Sequence, residues 1–158
     1  KIEKKTFVEE ETNLIPPPPI NTPDLQYETE STSPDKDLEM HYHLGIAYKE
    51  MDLFDYAISE FELASSNPSI KFDCYIMLGN CFMEKGDYDK SIEYYKTAAE
   101  EKGLTDEKLA RLYFNLGLAY EANGMISEAL QTFHLVLQLD HSLSEAQEKI
   151  KKLQQKKI

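Results

Sequence analysis

Three pentapeptides with one spelling recur along the chain: Leu44-Gly45-Ile46-Ala47-Tyr48, Leu78-Gly79-Asn80-Cys81-Phe82 and Leu116-Gly117-Leu118-Ala119-Tyr120. The first two lie 34 residues apart and the next step is 38. The echo continues downstream. Thirteen residues past each leucine stand Ala57, Ser91 and Ala129; seventeen past stand Phe61, Tyr95 and Phe133; twenty past stand Ala64, Ala98 and Val136. A period in this range makes each copy one supersecondary unit that buries its apolar face only against a neighbouring copy, so a stacked array is expected.

The leucine, the glycine after it and the aromatic four places on share one face of a first helix. Glycine inside a helix costs ~1 kcal/mol against alanine. A cost repeated three times implies that a second helix approaches the backbone at Gly45, Gly79 and Gly117. Ala57, Ser91 and Ala129 are the small residues of that second helix, and Phe61, Tyr95 and Phe133 are expected to fill the wedge between adjacent pairs. Asp52, Gly86 and Gly124 stand between the helices, at a place suited to a left-handed turn residue, where Asp is a tolerated substitute for Gly. Helices are predicted over 37–50 and 54–66, 71–85 and 88–101, and 106–122 and 126–139. A last helix, 143–157, carries Leu143, Ala146, Ile150 and Leu153 in one apolar stripe and is polar elsewhere, as suits the helix that closes a solenoid.

The first 35 residues are a different material. Six of the seven prolines precede residue 35 and all six glycines follow it. Pro16 to Pro19 are predicted to adopt polyproline II, and residues 21–35 read as an acidic linker without period. The proline run is better read as linker than as a ligand for a polyproline-binding domain. Two apolar pairs, Phe7-Val8 and Leu14-Ile15, stand out as anchors, on a short helix or in a groove of the same or a neighbouring molecule; an unanchored tail is the plainer reading. The chain opens Lys1-Ile2-Glu3-Lys4-Lys5 with no apolar block behind it, so no signal segment is expected in it. No run approaches the ~20 apolar residues that cross a bilayer.

The repeat resembles the tetratricopeptide repeat, a helix–turn–helix unit, over residues 38–140. The spelling of residues 44–51 is similar to bacterial members of that family. Some positions depart from its pattern. His41 stands where Tyr75 and Tyr113 supply the expected aromatic, Ser91 and Val136 replace alanine, and the terminal proline appears once, as Pro68. Four extra residues lie around Gly103-Leu104-Thr105-Asp106, roughly one helical turn. The resemblance implies an all-α, right-handed superhelix of three repeats, about 38–70, 71–105 and 106–141, with the closing helix at 143–157. Together these make a repeat domain over 36–158, behind an irregular arm over 1–35.

It also implies a concave groove lined by the first helices. The matching positions are Tyr42, Ile46, Lys49 and Glu50; Asp73, Ile76, Asn80 and Met83; and Arg111, Phe114, Leu118 and Glu121. Some members clamp the C-terminal carboxylate of chaperones with Lys, Asn, Asn, Lys and Arg. The corresponding residues here are Tyr42, Ile46, Met77, Arg111 and Asn115, of which only Arg111 keeps the cationic chemistry, so that ligand is not expected. The expected ligand is an amphipathic helix or an extended peptide with large apolar side chains and basic flanks. Ile76 and Phe114 have a second reading, as packing within the superhelix. Two further functions stand beside this one: self-assembly through the arm, the open repeat face or the last helix, and service as the regulatory region of a larger enzyme.

Other chemistries find no foothold. A net charge of −12 repels a phosphate backbone, so no nucleic acid is expected. His41 and His43 lie ~200° apart around a helix and cannot share a metal. Cys74 and Cys81 are separated by ~10 Å of helical rise, too far for a disulfide. As unpaired thiols they fit a reducing compartment, so a cytoplasmic protein is the expectation. The glycines are isolated, so no phosphate loop forms. No nucleophile–base pair can be placed, so neither catalysis nor a cofactor is expected. Lys149, Lys151, Lys152, Lys156 and Lys157 read as the polar face of the closing helix rather than as a lipid contact.

Overall fold

Three helix pairs and a closing helix follow one another in a computed structural model that describes residues 33–155. The helices are α1 (Pro34–Glu50), α2 (Phe54–Ala64), α3 (Lys71–Glu84), α4 (Tyr88–Ala99), α5 (Asp106–Ala122), α6 (Ile126–Leu139) and α7 (Ser144–Gln155), with no strand among the described residues. No helix among them is long and apolar enough to cross a membrane. The anchors Phe7, Val8, Leu14 and Ile15, the proline run and the end of the last predicted helix lie outside the described residues.

One boundary moves. Pro34 and Asp35, read from sequence as linker, open α1. Proline is favoured at a first helical position because its fixed φ is helical and its missing N–H has no partner to lose there. Asp35 and Asp37 then sit against the positive end of the helix. The four extra residues before the third copy fall in the connection and in α5 itself, which has 17 residues against 14 for α3. Thr105 caps α5 by accepting from the backbone N–H of Lys108 (3.3 Å), and Asp87 caps α4 through Lys90 in the same way.

The turn inside each pair is one motif used three times. Asp52, Gly86 and Gly124 have φ of +58°, +76° and +77°. The residue after each donates its N–H back across the helix end: Leu53 to the Tyr48 carbonyl (2.9 Å), Asp87 to Phe82 (2.9 Å) and Met125 to Tyr120 (2.8 Å). This satisfies carbonyls that the ending helix would leave orphaned. Asp52 is the strained member, since its Cβ crowds the following carbonyl in this conformation. Asp52→Gly is expected to raise stability by about 0.5–1 kcal/mol, read as a higher urea midpoint at unchanged slope.

The aromatic rings sit where the glycines allow. A Cβ added to Gly45 would lie 2.7 Å from the Phe61 ring, one on Gly79 2.4 Å from Tyr95, and one on Gly117 2.6 Å from Phe133. The rings therefore lie inside each pair, flat over the first helix's backbone, and reach the next pair from there. The expected place, a wedge between pairs, is corrected to that extent. Ser91, the departure from alanine in the second copy, donates its hydroxyl to the Gly79 carbonyl at 2.9 Å and is fully buried. Three apolar clusters result. Ala57, Ile58 and Phe61 meet Leu78, Cys81 and Phe82; Ile92, Tyr95 and Ala98 meet Leu112, Leu116 and Ala119; Phe133 and Val136 meet Ala146, Ile150 and Leu153 of α7.

Cys74 and Cys81 are buried on α3, and both are free thiols. Burial, helped by the charge of Asp73, pushes the Cys74 thiol up to about 12; burial alone leads for Cys81, pushed up to about 11. Both raised values mean that the folded state holds these protons more tightly than the unfolded chain. Their contribution to stability is complete below the unfolded thiol range of ~8.5 and is lost as pH rises through 11 to 12. Because the thiolate is the nucleophile, a disulfide reagent at pH 8 is expected to label the native protein about a hundredfold or more slowly than the chain in guanidinium. Equal rates would mean that α3 opens.

Candidate functional site

Every groove position expected on a first helix is on α1, α3 or α5, but the structure uses them differently. Tyr42 and Ile46 pack against the first cluster, with the Tyr42 ring edge-on to Phe61 at 5.7 Å. Burial, then the charge of Asp73 on the next helix, push the Tyr42 hydroxyl above its ordinary value, so it stays a neutral donor. Ile76 and Met83 flank the second cluster. Phe114 and Leu118 flank the third, and the Phe114 ring is 5.6 Å from that of Phe133. These side chains are half-buried, so each packs inward and still shows a face. The alternative between groove and superhelix packing resolves into both.

The polar positions divide similarly. Asn80 accepts the buried Tyr95 hydroxyl at 2.6 Å and so is bound to its own repeat. Lys49 is half-buried and Glu50 exposed at the C-terminal end of α1. Arg111 pairs with Glu107 one turn back at 2.8 Å, yet its side chain is 76% exposed. Such a surface pair is worth little and leaves the guanidinium available to a ligand.

Two hollows open along this surface. One, of about 270 Å³, is lined by Phe72, Asp73, Ile76, Lys108, Arg111, Leu112 and Asn115. Its floor is apolar, and the Lys108 ammonium stands 5.3 Å from the Phe72 ring centre. The other, of about 280 Å³, lies between Phe114 and Leu118 on one side and Glu145, Glu148, Lys149 and Lys152 of α7 on the other. Lys149 bonds Glu121 at 2.7 Å and ties α7 to α5.

The closing helix therefore supplies a wall of the site. Lys149 and Lys152 lie on the polar face of α7, and because α7 buries Ala146, Ile150 and Leu153, this part of the face borders Phe114 and Leu118. Phe72, Lys108 and the α7 residues were missed by sequence reasoning. Phe72 and Lys108 precede the repeated pentapeptides and carry no shared spelling. The place of α7 depends on packing that no period records.

Residues 74–140 match the profile of the family described as tetratricopeptide repeat. Over 97 residues the chain is 37% identical to a Bos taurus protein described as BBSome complex member BBS4, a match covering 61% of this chain and 18% of that protein. The chain spans less than a fifth of the length of the curated relatives it matches. Among solved structures, the N-terminal domain of stress-induced protein-1 from C. elegans superimposes with a TM-score of 0.69 at 19% identity, over 77% of this chain and 98% of that one. The Yersinia enterocolitica type III secretion chaperone SycD, in complex with a peptide of the translocator YopD, gives 0.69 at 20% identity, over 82% and 99%. The period, the glycine–aromatic contacts and the helix order agree with these likenesses: residues 74–140 match the tetratricopeptide repeat family, and the described helices have the fold of its solved members.

Proposed function

We propose that this domain is a non-catalytic interaction module, an adaptor or scaffold that grips a peptide or helix of a partner protein in the groove of α1, α3 and α5. The repeats in this reading are 38–70, 71–105 and 106–141, closed by the last helix. The observation that carries it is the pair of apolar-floored hollows with charged rims, at Phe72–Ile76 and at Phe114–Leu118. Sites of this size hold one large apolar side chain each, with the rim groups fixing orientation. A relative that is a complex member and a fold neighbour bound to a peptide support the reading. The rim is mixed: Asp73 and Glu145 would receive basic flanks, while Arg111 and Lys152 would receive a carboxylate.

The test is selection of peptides from a displayed library on the wild-type chain, followed by titration of the winners. An Ile76→Ala, Leu118→Ala variant is expected to weaken binding by tenfold or more, about 1.4 kcal/mol. Its circular dichroism should be native at the assay temperature. Peptides that bind both proteins equally would move the site off this surface.

A further inference from the structure

The repeats show what ordinarily covers one face of a first helix. Leu78 and Cys81 of α3 are buried against α2, with Cys74 buried one turn before Leu78, and Leu112, Leu116 and Ala119 of α5 are buried against α4. The same positions of α1 are Met40, Leu44 and Ala47. Met40 is 59% exposed and Leu44 39% exposed, against 1% for Leu78 and 6% for Leu116. Ala47 is exposed too, and Met51, one turn on, is 65% exposed. This apolar row continues a packing interface that the molecule builds twice.

That continuity states the chemistry of the occupant. The covering helices present Ala57, Ile58, Phe61 and Ala64 in one case and Ser91, Ile92, Tyr95 and Ala98 in the other. Both carry a small residue, isoleucine, an aromatic and alanine at i, i+1, i+4 and i+7. Charge narrows the choice. Residues 33–65 hold eight carboxylates against two lysines. A second copy set face to face would bring two such acidic rims together, which disfavours self-pairing. The face of α7 turned away from both the core and the groove is polar, with Gln147, Lys151 and Gln154 exposed, so a head-to-tail stack has no apolar surface to offer.

We propose that the exposed row of Met40, Leu44 and Ala47 on α1, with Met51 just past its end, is a second docking site, taken by an amphipathic helix of another polypeptide that carries this small–Ile–aromatic–Ala stripe between basic flanks. It is separate from the groove, and its partner extends the stack by one helix.

The probe is a synthetic helical peptide with the Ser-Ile-x-x-Tyr-x-x-Ala stripe and lysines at the outer positions, titrated by fluorescence anisotropy against the full chain. Its twin carries glutamates in place of the lysines. The lysine peptide is expected to bind, to weaken as salt is raised, and to outcompete its twin. A Leu44→Asp, Ala47→Asp variant is expected to lose tenfold or more in affinity with an unchanged melting temperature, while Ile76→Ala, Leu118→Ala binds as wild type. No binding, or equal binding by the Leu44→Asp, Ala47→Asp variant, would overturn the proposal. So would a melting temperature lowered by those two substitutions, which would mean that the chain already covers this face. A dimer in sedimentation that the variant abolishes would likewise assign the face to a second copy.

Discussion

Phe133→Ala is expected to cost about 3–5 kcal/mol, a large part of the ~5–15 kcal/mol that holds a domain of this size together. Phe133 is fully buried and is the largest side chain in the buried cluster that joins the third helix pair to the closing helix. Its ring lies on Gly117 and against Phe114, in one cluster with Ala146, Ile150 and Leu153 of α7. Truncation leaves a cavity that neighbours on three helices must share, and the backbone at Gly117 offers no side chain to fill it. The 12-residue α7 is too short to persist as a helix without that support. Urea titration should therefore show a lower midpoint, and hydrogen exchange should accelerate first in residues 144–155. A cost under 1 kcal/mol would mean that α7 and the third pair are joined by something other than this ring.

Gly79→Leu is expected to cost about 1–3 kcal/mol through overpacking, even though leucine is the better helix former. The first carbon of any side chain would meet the Tyr95 ring at 2.4 Å. That ring has nowhere to go: it is 1% exposed, its hydroxyl is held by Asn80, and Ser91 on the same helix is bonded to the Gly79 carbonyl. Gly86 is the control, because a Cβ there meets open space and only its positive φ resists substitution. The decisive measurement is a double-mutant cycle. Gly79→Ala should destabilise wild type but stabilise a Tyr95→Ala background, where the clash is gone and helix propensity of ~1 kcal/mol is all that is left. If the sign stays the same in both backgrounds, the close approach is not why glycine stands at this place.

The helix pairs, the turns and the glycine–aromatic contacts were all legible because each is a local demand repeated in register. A helix interior that accepts glycine three times, twelve residues before a small side chain on the next helix, allows few structures other than paired rods in close contact. Asp52 was recognised as a left-handed residue only because Gly86 and Gly124 stand in its place elsewhere. Pro34 escaped this reasoning, since a proline at a helix start and a proline in a linker look alike without the helix behind it.

The candidate site was half legible. Positions on α1, α3 and α5 follow from the same period, so Ile76, Phe114 and Leu118 were placed correctly on the first helices. What each side chain does was decided by tertiary contact: Asn80 is held by Tyr95, Glu121 by Lys149, and Tyr42 lies half under Phe61. The rotation of α7 that brings Lys149 and Lys152 over the groove comes from three apolar residues seeking Phe133 and Val136. Sequence by itself determined the paired helices, their turns and their order, because backbone sterics and apolar periodicity act over a few residues. Only the tertiary structure decided which faces were left open, because exposure depends on what a distant segment covers. The bare row on α1 and the walled hollow beside α7 are spelled much like their buried counterparts.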